Sequence, residues 1–177
     1  MKSLSTILIL LITLVGFSQN APIDFEDGGQ GANWGWNVFE NADNPPLEFV
    51  ANPDPSGINT SSTVVRTIKN VDAQFFAGSA IGLDEPIVFS STEKIKMKVW
   101  SPKTNIPVRL KLENGDGDFV ELDVNTTTSN QWEELVWDFA GQNTAPEFTT
   151  IVVFFEFVVD LPGDGSTYYF DDIDYAN

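Results

Sequence analysis

"EKIKMKVW" at residues 93–100 shows the alternation from which the fold class of this chain can be predicted. From Ile95 to Val99 every second residue is apolar, and the residues between them are lysines. Because successive side chains of a β-strand point to opposite faces, this spacing predicts a strand with one buried face and one polar face. "VRLKLE" at 108–113 and "FVELDV" at 119–124 alternate in the same way. We therefore expect three consecutive strands of an antiparallel meander that share one core face.

The rest of the chain has the same short period. Alternating segments of about five to eight residues are separated by Gly, Pro, Asn and Asp, and no sustained helical periodicity follows residue 19. We expect strands near 22–26, 34–39, 47–51, 62–69, 73–81, 93–100, 106–113, 118–125, 132–139, 149–158 and 167–174. The sequence therefore predicts an all-β fold, a two-sheet antiparallel β-sandwich.

The first 18 residues have the pattern of a secretory signal peptide. Lys2 provides a positive start, "ILILLITLV" a short apolar segment, and Gly16 and Ser18 the small residues before a cleavage site. We expect cleavage after Ser18, which leaves one domain over 19–177. The protein is therefore predicted to be secreted, to the periplasm or the extracellular space. The chain has no cysteine, which excludes disulfides and a lipoprotein anchor.

Charge and composition exclude several classes of function. The 26 acidic residues outnumber the 9 basic ones, and a formal charge of −17 repels nucleic acid and anionic membranes. We expect no nucleic-acid partner, no membrane insertion and a monomer. The absence of His and Cys removes Ser-His-Asp and Cys-His nucleophiles. The absence of His and Cys also leaves only oxygen atoms as metal ligands, which suit calcium or magnesium rather than zinc.

The two ends of the predicted domain carry closely spaced carboxylates among strand-forming residues, "IDFEDG" at 23–28 and "YYFDDIDY" at 168–175. Alternation places a carboxylate of the closing segment on its buried face, whichever face that is. A buried carboxylate needs a cation or donors beside it, and chain termini often lie close together. A calcium site from both ends is one interpretation, and ordinary solvated acids are the other. The candidate metal ligands are Asp24, Glu26 and Asp171, with Asn59 from the loop "PSGINTSS".

Trp100 is the most specific candidate for ligand binding. The alternation that buries Met97 and Val99 puts its indole on the lysine face, where it offers a stacking surface for a sugar ring. Arg109, Lys111 and Glu121 would hydrogen-bond the sugar hydroxyls. The alternative is a tryptophan tucked under a loop, since Trp is buried on average.

Trp34 and Trp36 form a second aromatic candidate. They flank a glycine, and their spacing places both rings on one face of a strand, which suits ligand stacking. The alternative is that they anchor the core. Phe75 and Phe76 face opposite ways in a strand, so we expect one of them in the core.

Several segments occur in an order that resembles a known group of proteins: "IDFEDG", "GINTSSTVV", "IKMKVWSP", "VRLKLE", "WEELVWDF" and "YYFDDI". The chain resembles the β-sandwich carbohydrate-binding modules of families 4, 16 and 22, as found with secreted bacterial glucanases. The resemblance implies a galactose-binding-like jelly roll with adjacent first and last strands. It also implies a structural calcium on Asp24, Glu26 and Asp171. It further implies sugar binding by aromatic residues on the concave sheet or on loops, with Phe76 where similar sequences often have Trp.

Three functions remain open from the sequence. The first is a secreted, non-catalytic glycan-binding module, whose ligand is a polysaccharide or oligosaccharide. A neutral β-glucan suits an acidic protein better than a polyanion does, although the basic strand faces keep a sulfated or uronic glycan open. The second is a small β-sandwich glycoside hydrolase using Glu113, Glu121 or Glu156, or a polysaccharide lyase. The third is a structural or adhesive envelope protein.

Overall fold

Ten strands form two five-stranded antiparallel sheets in the computed structural model, which describes residues 19–89 and 91–177. The first sheet has the order β1-β4-β9-β6-β7 and the second the order β2-β3-β10-β5-β8. The strands are β1 Asn37–Phe39, β2 Glu48–Ala51, β3 Thr63–Lys69, β4 Gly78–Ile87, β5 Lys94–Trp100, β6 Pro107–Glu113, β7 Phe119–Asn125, β8 Trp132–Asp138, β9 Phe148–Phe155 and β10 Ser166–Tyr175. The predicted all-β, two-sheet fold is confirmed.

The predicted signal peptide over residues 1–18 lies outside the described residues. Within the described ranges, no helix is long and apolar enough to cross a membrane.

The core lies between the two sheets and is built by the alternation that the sequence shows. Met97 and Val99 of β5, and Leu110 and Leu112 of β6, are fully buried. Trp137 of β8 is also fully buried, and its indole N–H donates to the carbonyl of Val108 at 3.1 Å. That bond pairs the only polar atom of the Trp137 side chain. It also links the second sheet to the first.

The meander prediction is wrong. Strand β5 lies in the second sheet between β10 and β8, whereas β6 and β7 pair with each other in the first sheet. Alternation fixes which side chains face the core, but both sheets of a sandwich present the same pattern to it, so periodicity does not reveal a change of sheet. The β6–β7 register agrees with the charge pattern, since Arg109 is opposite Asp123 and Lys111 is opposite Glu121.

The two ends of the domain are adjacent, as the resemblance implied. Ile23 and Ile173 exchange two backbone hydrogen bonds of 2.9 Å. The strand expected over 22–26 is reduced to this single bridge, because Phe25 takes a left-handed φ of 53° that ends an extended segment. A bulge in β10 between Asp171 and Asp174 shifts the register to β5.

Strand β9 is central in the first sheet and is covered on both faces. Val152 and Phe154 lie on the face away from the core, yet they are only 3% and 7% exposed. Phe154 fits over Gly78 of β4, where an added Cβ would lie 2.6 Å from the ring. This explains a segment that is apolar on both faces. Glu156, with a φ of 52°, follows the end of the strand.

Candidate functional site

The face of the first sheet that points away from the core, called the outer face below, carries a ladder of paired charges. Arg109 donates from Nε and Nη2 to the two carboxylate oxygens of Asp123, at 2.6 and 2.9 Å. Its Nη1 donates to Glu121 at 2.9 Å. The bidentate geometry fixes the guanidinium plane, and these hydrogen bonds, above all the one to Asp123, raise the pKa of Arg109 above its ordinary value.

Lys111 continues the ladder along β6. It forms an ion pair with Glu113, and its ammonium lies 4.7 Å from the centre of the Phe119 ring. That distance is within the range of a cation–π contact. Phe119 is 53% exposed, so this ring is presented to solvent beside a charged hydrogen-bonding group.

An aromatic cluster adjoins the other end of the ladder. The guanidinium carbon of Arg109 lies 3.7 Å from the centre of the Phe157 ring. Phe75 packs edge-to-face on Phe157 at 5.4 Å and on Phe76 at 5.0 Å. Phe76 is 37% exposed. Phe75 is only partly buried, so the expectation that one of this pair lies in the core is wrong. Both rings lie in a turn before β4, which starts at Gly78 rather than near residue 73.

Small residues of β4 extend the outer face on the side of β9 away from the ladder. Gly78, Ala80 and Gly82 share the outer face with Val152 and Thr150 of β9. No atom lies within 4 Å of a Cβ built on Gly82. The outer face therefore combines exposed rings, oriented hydrogen-bonding side chains and open space over Gly82, a combination that suits a sugar chain. It brings together four of the predicted ligand residues, Phe76, Arg109, Lys111 and Glu121.

Trp100 lies on the opposite side of the molecule. It is partly exposed on the lysine face of β5, as alternation predicts. Its ring meets Trp132 at 5.9 Å and Tyr169 at 6.5 Å, both edge-to-face. The expectation that Arg109, Lys111 and Glu121 surround it is wrong, because β5 belongs to the second sheet.

Trp34 and Trp36 precede β1 and are not in a strand. Trp34 is 9% exposed and belongs to the core. Trp36 is partly buried and packs against Phe25 at 6.1 Å and Phe170 at 5.8 Å. The interpretation that Trp34 and Trp36 anchor the core is therefore supported, and the two rings do not form a shared surface for stacking a ligand.

Asp171 is fully buried, but it lies on the face of β10 opposite to the core residues Tyr168 and Phe170. The expectation of a carboxylate on the core face is wrong, because the bulge after Asp171 brings Ile173 to the core and leaves Asp172 and Asp174 only partly buried. Burial is the main cause that raises the pKa of Asp171 to about 6, with a smaller contribution from Asp172, while the side chains of Ser61 and Asn59 act in the opposite direction. One carboxylate oxygen accepts from the Asp172 N–H at 2.9 Å. Within the described ranges the other oxygen, Oδ2, has no partner in hydrogen-bonding geometry. Asn59 is fully buried as well.

Asp24 and Glu26 accept hydrogen bonds from backbone donors, within the same segment for Asp24 and from the start of β3 for Glu26. An Asp24 oxygen accepts from the Gln30 N–H at 2.8 Å. A Glu26 oxygen accepts from the N–H groups of Ser62 and Thr63 at 2.6 and 3.1 Å. No three acidic, His or Cys side chains of the described residues form a group that could hold a metal ion. A calcium site here would therefore need carbonyl or amide oxygens in addition to carboxylates.

Sequence reasoning missed a buried charged cluster under the aromatic end of the outer face. Lys69 is 4% exposed, and burial lowers its pKa to about 8 against the opposing effect of Glu156. Glu156 is 3% exposed and forms an ion pair with Lys103. The signal was present, because Lys69 follows Val65 and Thr67 on the inward positions of β3.

Comparison with known proteins shows the fold. No protein-family model and no curated protein matches the chain. A structure of TmCBM61 in complex with β-1,4-galactotriose has a TM-score of 0.55 at 14% identity, covering 92% of this chain and 99% of that one. The family 11 carbohydrate-binding module of the Clostridium thermocellum cellulase Lic26A-Cel5E has a TM-score of 0.53 at 10% identity, covering 88% and 95%.

Larger enzymes contain the same fold as one part. An exo-β-agarase structure has a TM-score of 0.61 at 9% identity; 87% of this chain matches 24% of that one. At such identities the likeness concerns architecture alone. The chain has the jelly-roll β-sandwich of carbohydrate-binding modules, and the resemblance noted from its sequence is confirmed at that level.

Proposed function

We propose that the protein is a secreted, non-catalytic glycan-binding module that binds a neutral polysaccharide of the β-glucan type on the outer face. The observation that carries this proposal is the line of exposed rings and oriented polar groups from Phe76 through Arg109 and Lys111 to Phe119. Arg109 and Glu113 alone are separated by about 13 Å along β6, because a strand rises about 3.3 Å per residue. The platform is long enough to contact several sugar rings of an extended chain.

The charges of the outer face favour a neutral ligand. Arg109 is already bonded to two carboxylates, and Lys111 is bonded to Glu113. An anionic glycan would have to compete with these internal acids for each cation, and the rest of the protein repels it. Neutral hydroxyls instead accept from the guanidinium and donate to the carboxylates without breaking the pairs.

The resemblance also motivates a structural calcium, which we include in the proposal. Asp171 is a buried oxygen donor, and its Oδ2 has no hydrogen-bond partner among the described residues. The amide oxygen of buried Asn59, which accepts from the Ser61 N–H at 3.1 Å, is a second oxygen donor. Glu26 lies against Ser62 and Thr63, at the end of the same loop. These residues fit the chemistry of calcium, which would neutralise a buried charge and stabilise the folded state by mass action. Asp24 would support the site from the edge.

Calcium has a direct test in thermal melts with added calcium and with chelator. We expect the melting temperature to rise with calcium in the parent protein and not in Asp171→Asn. Asp174→Asn, a half-buried acid on the same strand, is the matched control and should keep the calcium effect. Identical melts of the parent protein in calcium and chelator would remove the site from the proposal.

The proposed location and oligomeric state rest on the sequence. The leader supports export to the periplasm or the extracellular space. The excess of acidic residues supports a monomer that binds neither nucleic acid nor membranes. Modules of similar fold support an oligosaccharide or polysaccharide ligand, since two of them were solved in complex with β-1,4-galactotriose and with a β-1,3-1,4-mixed-linked tetrasaccharide.

The hydrolase alternative is weakened by the surroundings of its candidate acids. Glu113 and Glu121 are engaged with cations on the sheet face, and Glu156 is buried against Lys103. A general acid and its partner need a cleft between them, with one carboxyl kept protonated. Release of reducing sugar from any of a panel of neutral and anionic polysaccharides would favour this alternative. A protein that neither binds nor cleaves any of them would favour the structural or adhesive one.

Affinity electrophoresis against a panel of neutral and anionic polysaccharides tests the proposal. We expect retardation by a neutral β-glucan and about a tenfold or greater loss of affinity in Phe119→Ala, which removes the most exposed ring of the outer face, because stacked aromatic anchors typically contribute about 1–3 kcal/mol. Val136→Ala removes an exposed apolar side chain from the second sheet and is the control. Equal affinities of both variants and the parent would remove the outer face as the binding surface.

A further inference from the structure

Lys69 lies beneath the loop that carries two rings of the outer-face site. It is the last residue of β3, in the second sheet, and only 4% of it is exposed. Its ammonium reaches the segment before β4 of the first sheet. There Nζ donates to the carbonyl of Phe75 at 2.9 Å and to that of Ala77 at 3.3 Å.

Those two carbonyls flank Phe76 on both sides along the chain. The loop 74–77, called the aromatic loop below, has few other anchors. The Gln74 N–H donates to the Glu40 carbonyl at 3.1 Å, and the Ala77 N–H donates to the Gln74 carbonyl at 2.9 Å. Of these contacts, those from Lys69 join the aromatic loop to the other sheet. The loop's conformation places Phe75 on Phe157, whose ring lies under Arg109.

A lysine at this position is costly. Removing an ammonium from water is unfavourable unless it is paired and hydrogen-bonded, and an unbranched apolar side chain would fill the same space without that cost. Glu156 offsets part of the penalty electrostatically, but it is itself bonded to Lys103. Lys69 is therefore better explained by what it holds than by a contribution to stability.

We propose that Lys69 is a positioning residue for the glycan site, which orders the aromatic loop so that Phe75 and Phe76 are presented beside Phe157 and Arg109. This inference rests on the proposed function for its ligand, but the ordering of the loop is a separate property. Lys69 touches no ligand in this arrangement. It acts by reducing the conformational entropy that the two rings lose when a sugar binds.

Lys69→Met is the direct test, with Lys96→Met as the matched control on the outside of the second sheet. Hydrogen exchange of the amides from Phe75 to Gly78, measured without ligand, should be about tenfold faster in Lys69→Met. Its affinity for the β-glucan should fall about tenfold, as expected when two side chains must be ordered on binding. The melting temperature should stay within a few degrees of the parent, because an apolar substitute for a buried charge is often neutral. The control should match the parent in all three measurements.

The outcomes separate this inference from the proposed function. Faster exchange with unchanged affinity would make Lys69 purely structural and overturn the inference, as would unchanged exchange. If the parent protein binds no glycan at all, the proposed function fails, while faster exchange would still support Lys69 as the residue that orders the loop. Should Lys69→Met fail to fold, Lys69→Gln replaces it. The shorter glutamine does not reach both carbonyls, so the same directions are expected.

Discussion

The roles of individual residues in this protein depend on the residues that the fold places beside them. Arg109 would be an isolated cation on a strand, but the β6–β7 hairpin sets Asp123 opposite it and Glu121 within reach. Such pairs contribute little stability when exposed, typically about 0–1 kcal/mol. Their main consequence is orientation, since a guanidinium held at both ends presents its remaining surface in a fixed direction.

Trp100 separates two interpretations of the aromatic residues. We expect Trp100→Ala to leave β-glucan affinity within about twofold of the parent, because the residue is on the other sheet. It should destabilise the fold by about 1–3 kcal/mol, through the loss of partial burial and of its contacts with Trp132 and Tyr169. Affinity electrophoresis and urea unfolding measure the two effects. A tenfold loss of affinity in a stable variant would move the binding site to the second sheet.

Lys69 makes the stability of the protein depend on pH in an unusual direction. Its pKa in the folded state is about 8, against 10.5 as its ordinary value. Between these values the unfolded chain binds more protons than the folded one, so the free energy of unfolding rises with pH. The window ends near pH 10, because burial raises the pKa of Tyr168 and its ionisation then favours unfolding.

Urea unfolding at pH 7.5 and pH 10 measures this effect. We expect the stability of the parent relative to Lys69→Met to rise by on the order of 2 kcal/mol across the window. The comparison with Lys69→Met cancels the titration of the other lysines. A difference between the two proteins that stays constant with pH would show that Lys69 does not titrate in this range.

At the scale of whole elements, β4 determines the shape of the outer face. Small residues alternate along it, and its two glycines differ in their surroundings. A Cβ on Gly78 would lie 2.6 Å from Phe154, whereas one on Gly82 would meet no atom within 4 Å. Neither glycine has a left-handed φ, so any difference between them comes from packing.

Substitution of each glycine by alanine tests this packing argument. We expect Gly78→Ala to cost about 1–3 kcal/mol, because the Phe154 ring must move against Phe39 and Phe157. Gly82→Ala should be neutral or slightly stabilising, since alanine restricts the unfolded chain. Denaturant unfolding of the two variants gives the comparison. Equal costs would mean that Phe154 repacks freely over Gly78.

The segment between β2 and β3 shows how a loop can cover a sheet. It begins at Asn52, whose side-chain oxygen accepts from the indole N–H of Trp132 at 3.0 Å. Trp132 belongs to β8, at the opposite edge of the second sheet from β2. The loop therefore crosses that sheet, and Asp171 is buried beneath Asn59 although it points away from the core.

Over the whole molecule, the formal charge of −17 gives a simple test of ligand class. Binding of a neutral polysaccharide involves no net charge pairing, so its affinity should change by less than about twofold between about 0.05 and 0.5 M NaCl. Affinity electrophoresis or calorimetry at several salt concentrations measures this. An affinity that falls steeply with salt, together with a preference for sulfated or uronic glycans, would contradict a neutral ligand.

Alternation along the chain is sufficient to predict the fold class and the inward-facing residues of many strands. Ile95, Met97 and Val99 are buried as their spacing predicts. These properties are local, because a period of two along a strand depends only on the backbone that carries it. The pairing of Arg109 and Lys111 with acids of the next strand was equally predictable, since a short hairpin brings the two strands together.

The sheet that each strand joins, and with it the composition of the candidate site, follows from tertiary packing and could not be predicted from the alternation. Both inner faces of a sandwich select the same apolar pattern, so β5 and β6 are indistinguishable by period although they lie in different sheets. Because of that ambiguity, the sequence wrongly placed Trp100 beside Arg109, whereas the two residues lie in different sheets. The inward position of Lys69 is visible in the alternation of β3, but its role depends on carbonyls beside the opposite sheet that its sequence neighbours do not reveal. Long-range contacts of this kind are set by packing between sheets, which a single chain's alternation does not encode.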